Sequence, residues 1–82
     1  NGQLKRNGSY INGNLNGKWI GYDINGKKVY EVEYKNDTLI GRFFTWYSTG
    51  IIREKGSFDN NHRTGEWLTY DEAGMIVKKV IL

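Results

Sequence analysis

The run Lys27-Lys28-Val29-Tyr30-Glu31-Val32-Glu33-Tyr34 alternates apolar and polar positions and is rich in β-branched and aromatic residues. That pattern predicts a strand of about eight residues. Upstream, Lys18-Trp19-Ile20-Gly21-Tyr22 is a shorter aromatic run, and Asp23-Ile24-Asn25-Gly26 separates the two. This separator is turn chemistry, because Asp caps locally, Asn tolerates a left-handed backbone and Gly accepts positive φ freely. A second kind of turn centres on Asn36-Asp37, matched by Asn12-Gly13 and Asn60-Asn61. Asn-Gly is the strongest short hairpin signal, and Asn-Asp and Asn-Asn can take the same positive φ values. No stretch keeps helical spacing over the ~11 residues that would argue for a helix. Each unit reads strand, turn, strand, turn.

The unit recurs every 24 residues without insertion. Gly17, Gly41 and Gly65 fall in register, as do Gly26, Gly50 and Gly74, preceded by Gly2. Trp19, Phe43 and Trp67 form a column; so do Tyr22, Trp46 and Tyr70, and Tyr10, Tyr34, Phe58 and Leu82. Self-similarity at such a period marks a repeat architecture. The chain is therefore one domain over residues 1–82, with a partial repeat at 1–16 and repeats at 17–40, 41–64 and 65–82. An even period gives equivalent residues the same parity, so they point to the same face of a sheet. With two-residue turns at Asn12-Gly13 and Asn36-Asp37, the Gly26 connection must be even, or odd and corrected by a bulge. One face then carries Trp19, Phe43 and Trp67 with Tyr30, Val32, Tyr34, Ile52, Phe58, Ile76, Val80 and Leu82. The other carries Ile20, Phe44, Leu68, Tyr22, Trp46, Tyr70, Val29 and Val77 among Glu31, Arg53, Lys55 and Lys79. The predicted fold is all-β: a single-layer antiparallel meander of stacked hairpins, about seven strands without a helix. A single layer must have its aromatic columns shielded by sheet curl, by a second copy or by further chain.

Composition narrows the chemistry. With 82 residues the core is thin, and there is no cysteine, which removes disulfides, thiolate nucleophiles and Cys-based zinc sites. The net charge of +3 comes from twelve Lys and Arg mixed with nine Asp and Glu, a solvated pattern rather than a phosphate-tracking stripe. Nucleic acid is not an expected partner. No apolar run approaches the roughly 18–20 residues of a membrane span. Asn1 opens partway through a repeat, which points to a longer natural product, soluble and either cytoplasmic or exported after loss of an N-terminal segment.

No catalytic set is visible. His62, the one histidine, lies in the turn Asp59-Asn60-Asn61-His62 without a second ligand type beside it, and reads as a surface residue. Glu31 and Glu33 share a strand face about 6.5–7 Å apart and imitate a glycosidase pair, but solvated charge explains them better. Asp59-Asn60-Asn61 lacks the glycine and distal glutamate of a calcium loop. The sequons at Asn7 and Asn36 fit chance in an Asn-rich chain. Neither metal nor cofactor is expected. The aromatic columns carry the functional signal: Trp19, Phe43 and Trp67 as core, and Tyr22, Arg42, Phe44, Trp46, Arg53 and Tyr70 as a candidate interaction surface. Trp46 sits beside Arg42 and faces Arg53 across the hairpin, a setting for a cation–π contact. Exposed Trp, Tyr and Arg together are the usual composition of interface hot spots.

Gly17-Lys18-Trp19, Tyr22, Gly26, Tyr34, Asn36 and Gly41, repeated in Gly65-Glu66-Trp67, Tyr70 and Gly74, resemble the MORN repeat. They are most similar to its bacterial variant, found in YwqK-type antitoxin-like proteins, with Phe43 and Trp46 as aromatic replacements in the middle copy. The resemblance covers essentially the whole chain. It implies a non-catalytic module for protein–protein contact, with a toxin partner if the antitoxin role applies, and lipid association in some members. Two further binding modes stay open. One is self-association through the aromatic face or the C-terminal strand, Met75 to Leu82, where only Lys78 and Lys79 guard the edge. The other is capture of a small ligand, glycan or cell-wall fragment between hairpins.

Overall fold

In the computed structural model, which describes residues 5–82, the chain crosses one sheet seven times. The strands are β1 (Lys5–Ile11), β2 (Asn14–Tyr22), β3 (Lys28–Lys35), β4 (Thr38–Trp46), β5 (Ile52–Asp59), β6 (His62–Tyr70) and β7 (Ile76–Ile81). They lie in chain order, each antiparallel to the next. The described residues contain no helix. Extents of 41 × 36 × 14 Å make this a single layer. Gly2 and the rest of residues 1–4 lie outside the described residues.

Both turn types follow from their residues. Asn12 and Gly13 have φ of 52° and 83°, Asn36 and Asp37 of 49° and 65°, Asn60 and Asn61 of 51° and 70°. Two successive left-handed residues define the type I′ turn, whose twist matches that of the flanking strands. The other connection is odd. The Asp23 N–H donates to the Lys27 carbonyl at 2.8 Å, and the Gly26 N–H to the Asp23 carbonyl at 2.9 Å, with Gly26 at φ 79°. This is a three-residue loop ending in a glycine bulge. A register slip follows it, between Gly21 and Tyr22, Thr45 and Trp46, and Thr69 and Tyr70. The bulge that parity required is therefore present, with a consequence for the faces. Ile52 pairs with Trp46 and Ile76 with Tyr70, so both leave the face assigned to them from sequence.

The second bulge explains the Gly17, Gly41 and Gly65 column. These residues have φ of 82°, 66° and 72°, where the register slips opposite Gly8, Val32 and Gly56. The left-handed backbone there strongly favours glycine.

The hairpins are also clipped together at their turns. The Leu15 N–H donates to Asp37 Oδ1 at 2.6 Å, and the Asp37 N–H to the Leu15 carbonyl at 3.0 Å. Asn61 repeats this on Leu39 at 2.8 and 3.0 Å. Each turn thus grips the hairpin before it.

The core is small: Trp19, Val32 and Trp67 are 7%, 8% and 4% exposed. Trp19 lies flat over Gly8 and Trp67 over Gly56, so close that a Cβ on either glycine would collide with the ring. Tyr10 meets Trp19 edge-on, Phe43 and Phe58 close on Trp67, and Arg6 and Arg63 stack over the two indoles at 5.8 and 4.4 Å. The rings shield one another within the single layer. Between Tyr30 and Glu54, the Thr45 hydroxyl is buried and has no hydrogen-bond partner. Thr45→Val removes that desolvated group and is expected to raise stability by about 1 kcal/mol, read by thermal unfolding; a loss of stability would show that the hydroxyl is bonded after all.

Candidate functional site

Opposite the tryptophan core, the sheet presents a more open face. Phe44 and Trp46 alternate with Thr45 along β4, which turns both onto this face, and their rings stack at 5.9 Å and 26°. Both are half-buried, as are Tyr22 and Tyr70 in the Trp46 column. Arg42 is exposed two residues before Phe44. Five of the six sequence-proposed residues therefore fall along this face: Tyr22, Arg42, Phe44, Trp46 and Tyr70.

Arg53 does not join them. The slip after the three-residue loop sets it over the Tyr47 ring at 5.8 Å, while Ile52 takes the place across from Trp46. The cation on Trp46 is instead Lys28, with Nζ 5.6 Å from the ring centre. Lys27, Lys28, Trp46, Thr49 and Gly50 enclose an open cleft of about 400 Å3. A smaller cleft of about 250 Å3 lies between Arg42, Phe44, Lys55, Gly56, Ser57 and Glu66. Lys28 and Tyr47 carry no periodic signal, because the other copies have Ile52 and Ile76, and Asp23 and Asp71, in their columns, while the Lys55 column mixes Glu31 with Lys79.

The middle unit departs from its neighbours in a consistent way. Asp23 and Asp71 cap their loops, each Oδ1 accepting two backbone N–H groups at 2.9 and 3.0 Å. Tyr47 stands in their column, and its hydroxyl donates to the Tyr70 carbonyl at 2.7 Å. Where the outer copies have Trp19 over Gly8 and Trp67 over Gly56, the same two columns of the middle one hold Phe43 and Val32. Trp46 replaces Tyr22 and Tyr70. The largest ring on the open face thus belongs to the unit that gives up the carboxylate cap.

The acidic candidates are engaged structurally. Glu31 lies 3.9 Å from Lys18 and 3.7 Å from Lys28, while Glu33 accepts the Arg42 N–H at 3.4 Å and packs against Gly41. His62 is exposed at the start of β6. Among the described residues no three His, Asp or Glu side chains gather as a metal site would require. No helix of the described residues is long and apolar enough to cross a membrane. Exposed apolar groups concentrate at the last strand, on Met75, Ile76, Val77, Ile81 and Leu82.

A family model described as a MORN repeat variant matches residues 15–36, 39–60 and 63–81. Each matched stretch holds one hairpin: β2–β3, β4–β5 and β6–β7. No curated protein and no solved structure matches the chain.

Proposed function

Since this chain belongs to the MORN repeat variant family, we propose that it is a non-catalytic module that binds a protein partner across the open face of its sheet. The observation that carries this reading is the half-buried Phe44–Trp46 stack, flanked by the cations Lys28 and Arg42. Large rings beside basic groups provide contact area at low conformational cost, the composition of interface hot spots. Their placement on β4 also supports it, because Arg42, Phe44 and Trp46 stand on a strand rather than on a loop. Pairing with a toxin, as the resemblance to antitoxin-like repeats implies, is one form such binding takes.

The test is alanine substitution at Trp46 and Tyr70. Both side chains stand away from the Trp19–Trp67 core, so the sheet is expected to stay folded by circular dichroism. Capture of proteins retained by the wild-type chain is expected to fall at least tenfold, as for hot-spot truncation of about 1.4 kcal/mol or more. Undiminished capture by the folded double variant would refute the reading.

A further inference from the structure

The repeats allow an internal comparison of charge. In the first unit Lys18 pairs with Glu31 at 3.9 Å, and in the third Glu66 pairs with Lys79 at 3.1 Å. These pairs lie diagonally across equivalent strand pairs, β2–β3 and β6–β7. The corresponding residues of the middle unit are Arg42 and Lys55, both cationic. Arg42 stands opposite Ser57, and Phe44 opposite Lys55. Neither cation takes part in any of the three ion pairs among the described residues. They flank the cleft of about 250 Å3 that Phe44, Gly56, Ser57 and Glu66 complete. Glu66 borders this cleft but bonds Lys79, and the Ser57 hydroxyl donates to the Thr64 carbonyl at 3.0 Å.

Like charges on neighbouring strands destabilise a sheet. The fold therefore carries two cations at the one diagonal where it elsewhere places a cation and a carboxylate. We propose that Arg42 and Lys55 form a carboxylate-binding site that takes a glutamate or aspartate side chain of the partner, with Phe44 as its apolar wall. This rests on the reading of the open face as a protein-binding surface. Carboxylate is favoured over phosphate because Glu31 and Glu66 already fill the equivalent diagonals in the outer units. An arginine fork beside a lysine also suits the two oxygens of one carboxylate.

The test uses the free protein, so its failure is separable from failure of the Trp46 and Tyr70 capture experiment. The probe is acetyl-Glu-Phe-Glu-amide, titrated at constant ionic strength and followed by backbone amide NMR. Saturable shifts at Phe44, Lys55 and Ser57 are expected, with the Gln-Phe-Gln counterpart binding roughly tenfold or more weakly. Arg42→Glu restores an opposite-charge diagonal like that of Glu66 and Lys79. It is expected to raise the melting temperature and to abolish the shifts. Lys55→Glu reproduces the Lys18–Glu31 arrangement and gives the same pair of readouts if the first variant fails to fold. Equal binding of both peptides, shifts spread evenly over the sheet, or undiminished binding by either folded variant would overturn the site. So would tighter binding of inorganic phosphate or of oligo(dT) than of the acidic peptide.

Discussion

Gly56→Ala is expected to destabilise the sheet by about 3 kcal/mol or more, because the new methyl group would occupy space held by the Trp67 indole. Trp67 cannot yield cheaply. Phe43 and Phe58 pack against it, Arg63 lies over its ring, and its Nε1–H donates to the Thr64 carbonyl at 3.2 Å. For 82 residues at ~0.05–0.15 kcal/mol each, the total stability is about 4–12 kcal/mol, so one such loss leaves little margin. The middle unit supplies the remedy. Its two equivalent positions hold Val32 and Phe43, a larger residue in the glycine column together with a smaller ring in the tryptophan column. The double variant Gly56→Val with Trp67→Phe is therefore expected to recover most of the stability that Gly56→Val alone loses. The two changes should show a favourable coupling of about 2 kcal/mol in urea unfolding. Strict additivity would show that ring and glycine are not complementary partners.

Replacing Asn61 separates two contributions made by one residue. Its φ of 70° requires a left-handed backbone, and its Oδ1 accepts the Leu39 N–H at 2.8 Å. Asn61→Gly keeps the backbone and removes the acceptor, at an expected cost of about 1 kcal/mol. Asn61→Ala removes the acceptor and strains the turn as well, for about 2–3 kcal/mol in all. In a chain of this size each kcal/mol lowers Tm by roughly 4–8 °C. The expected order of melting temperature is wild type, Asn61→Gly, Asn61→Ala. Identical glycine and alanine variants would remove the backbone contribution, and a glycine variant equal to wild type would remove the clip.

The meander was legible in the residues because its determinants are local and recur. Asn12-Gly13 and its counterparts specify tight turns, and the alternating run into Tyr34 specifies a strand. Parity also required the odd loop at Gly26 to be compensated by a bulge, as it is. Parity did not reveal which residue the bulge absorbs. That one-residue choice moved Arg53 from Trp46 to Tyr47 and put Ile52 in its place. The shielding of Trp19 and Trp67 was hidden for a different reason. Arg6 and Arg63 reach their indoles from unrelated positions in the repeat, so no column marks them. The Arg42 and Lys55 charges stood in plain view, but their meaning depends on the diagonal that joins them to Phe44 and Ser57. Single columns do not contain that relation.

The grip of Asp37 on Leu15 and of Asn61 on Leu39 ties each hairpin only to the one before it. A ribbon built this way behaves like a row of dominoes held upright by nearest neighbours. The middle hairpin, β4 with β5, is propped from both sides: Phe43 leans on Trp67 and Tyr47 reaches to the Tyr70 backbone on the β6 side, while on the β3 side Glu31 pairs with Phe44 and Lys28 lies over Trp46. Cut out as a peptide, those residues would lose the supports that aim Phe44 and Trp46. The smallest fragment able to display the strip therefore retains both flanking hairpins.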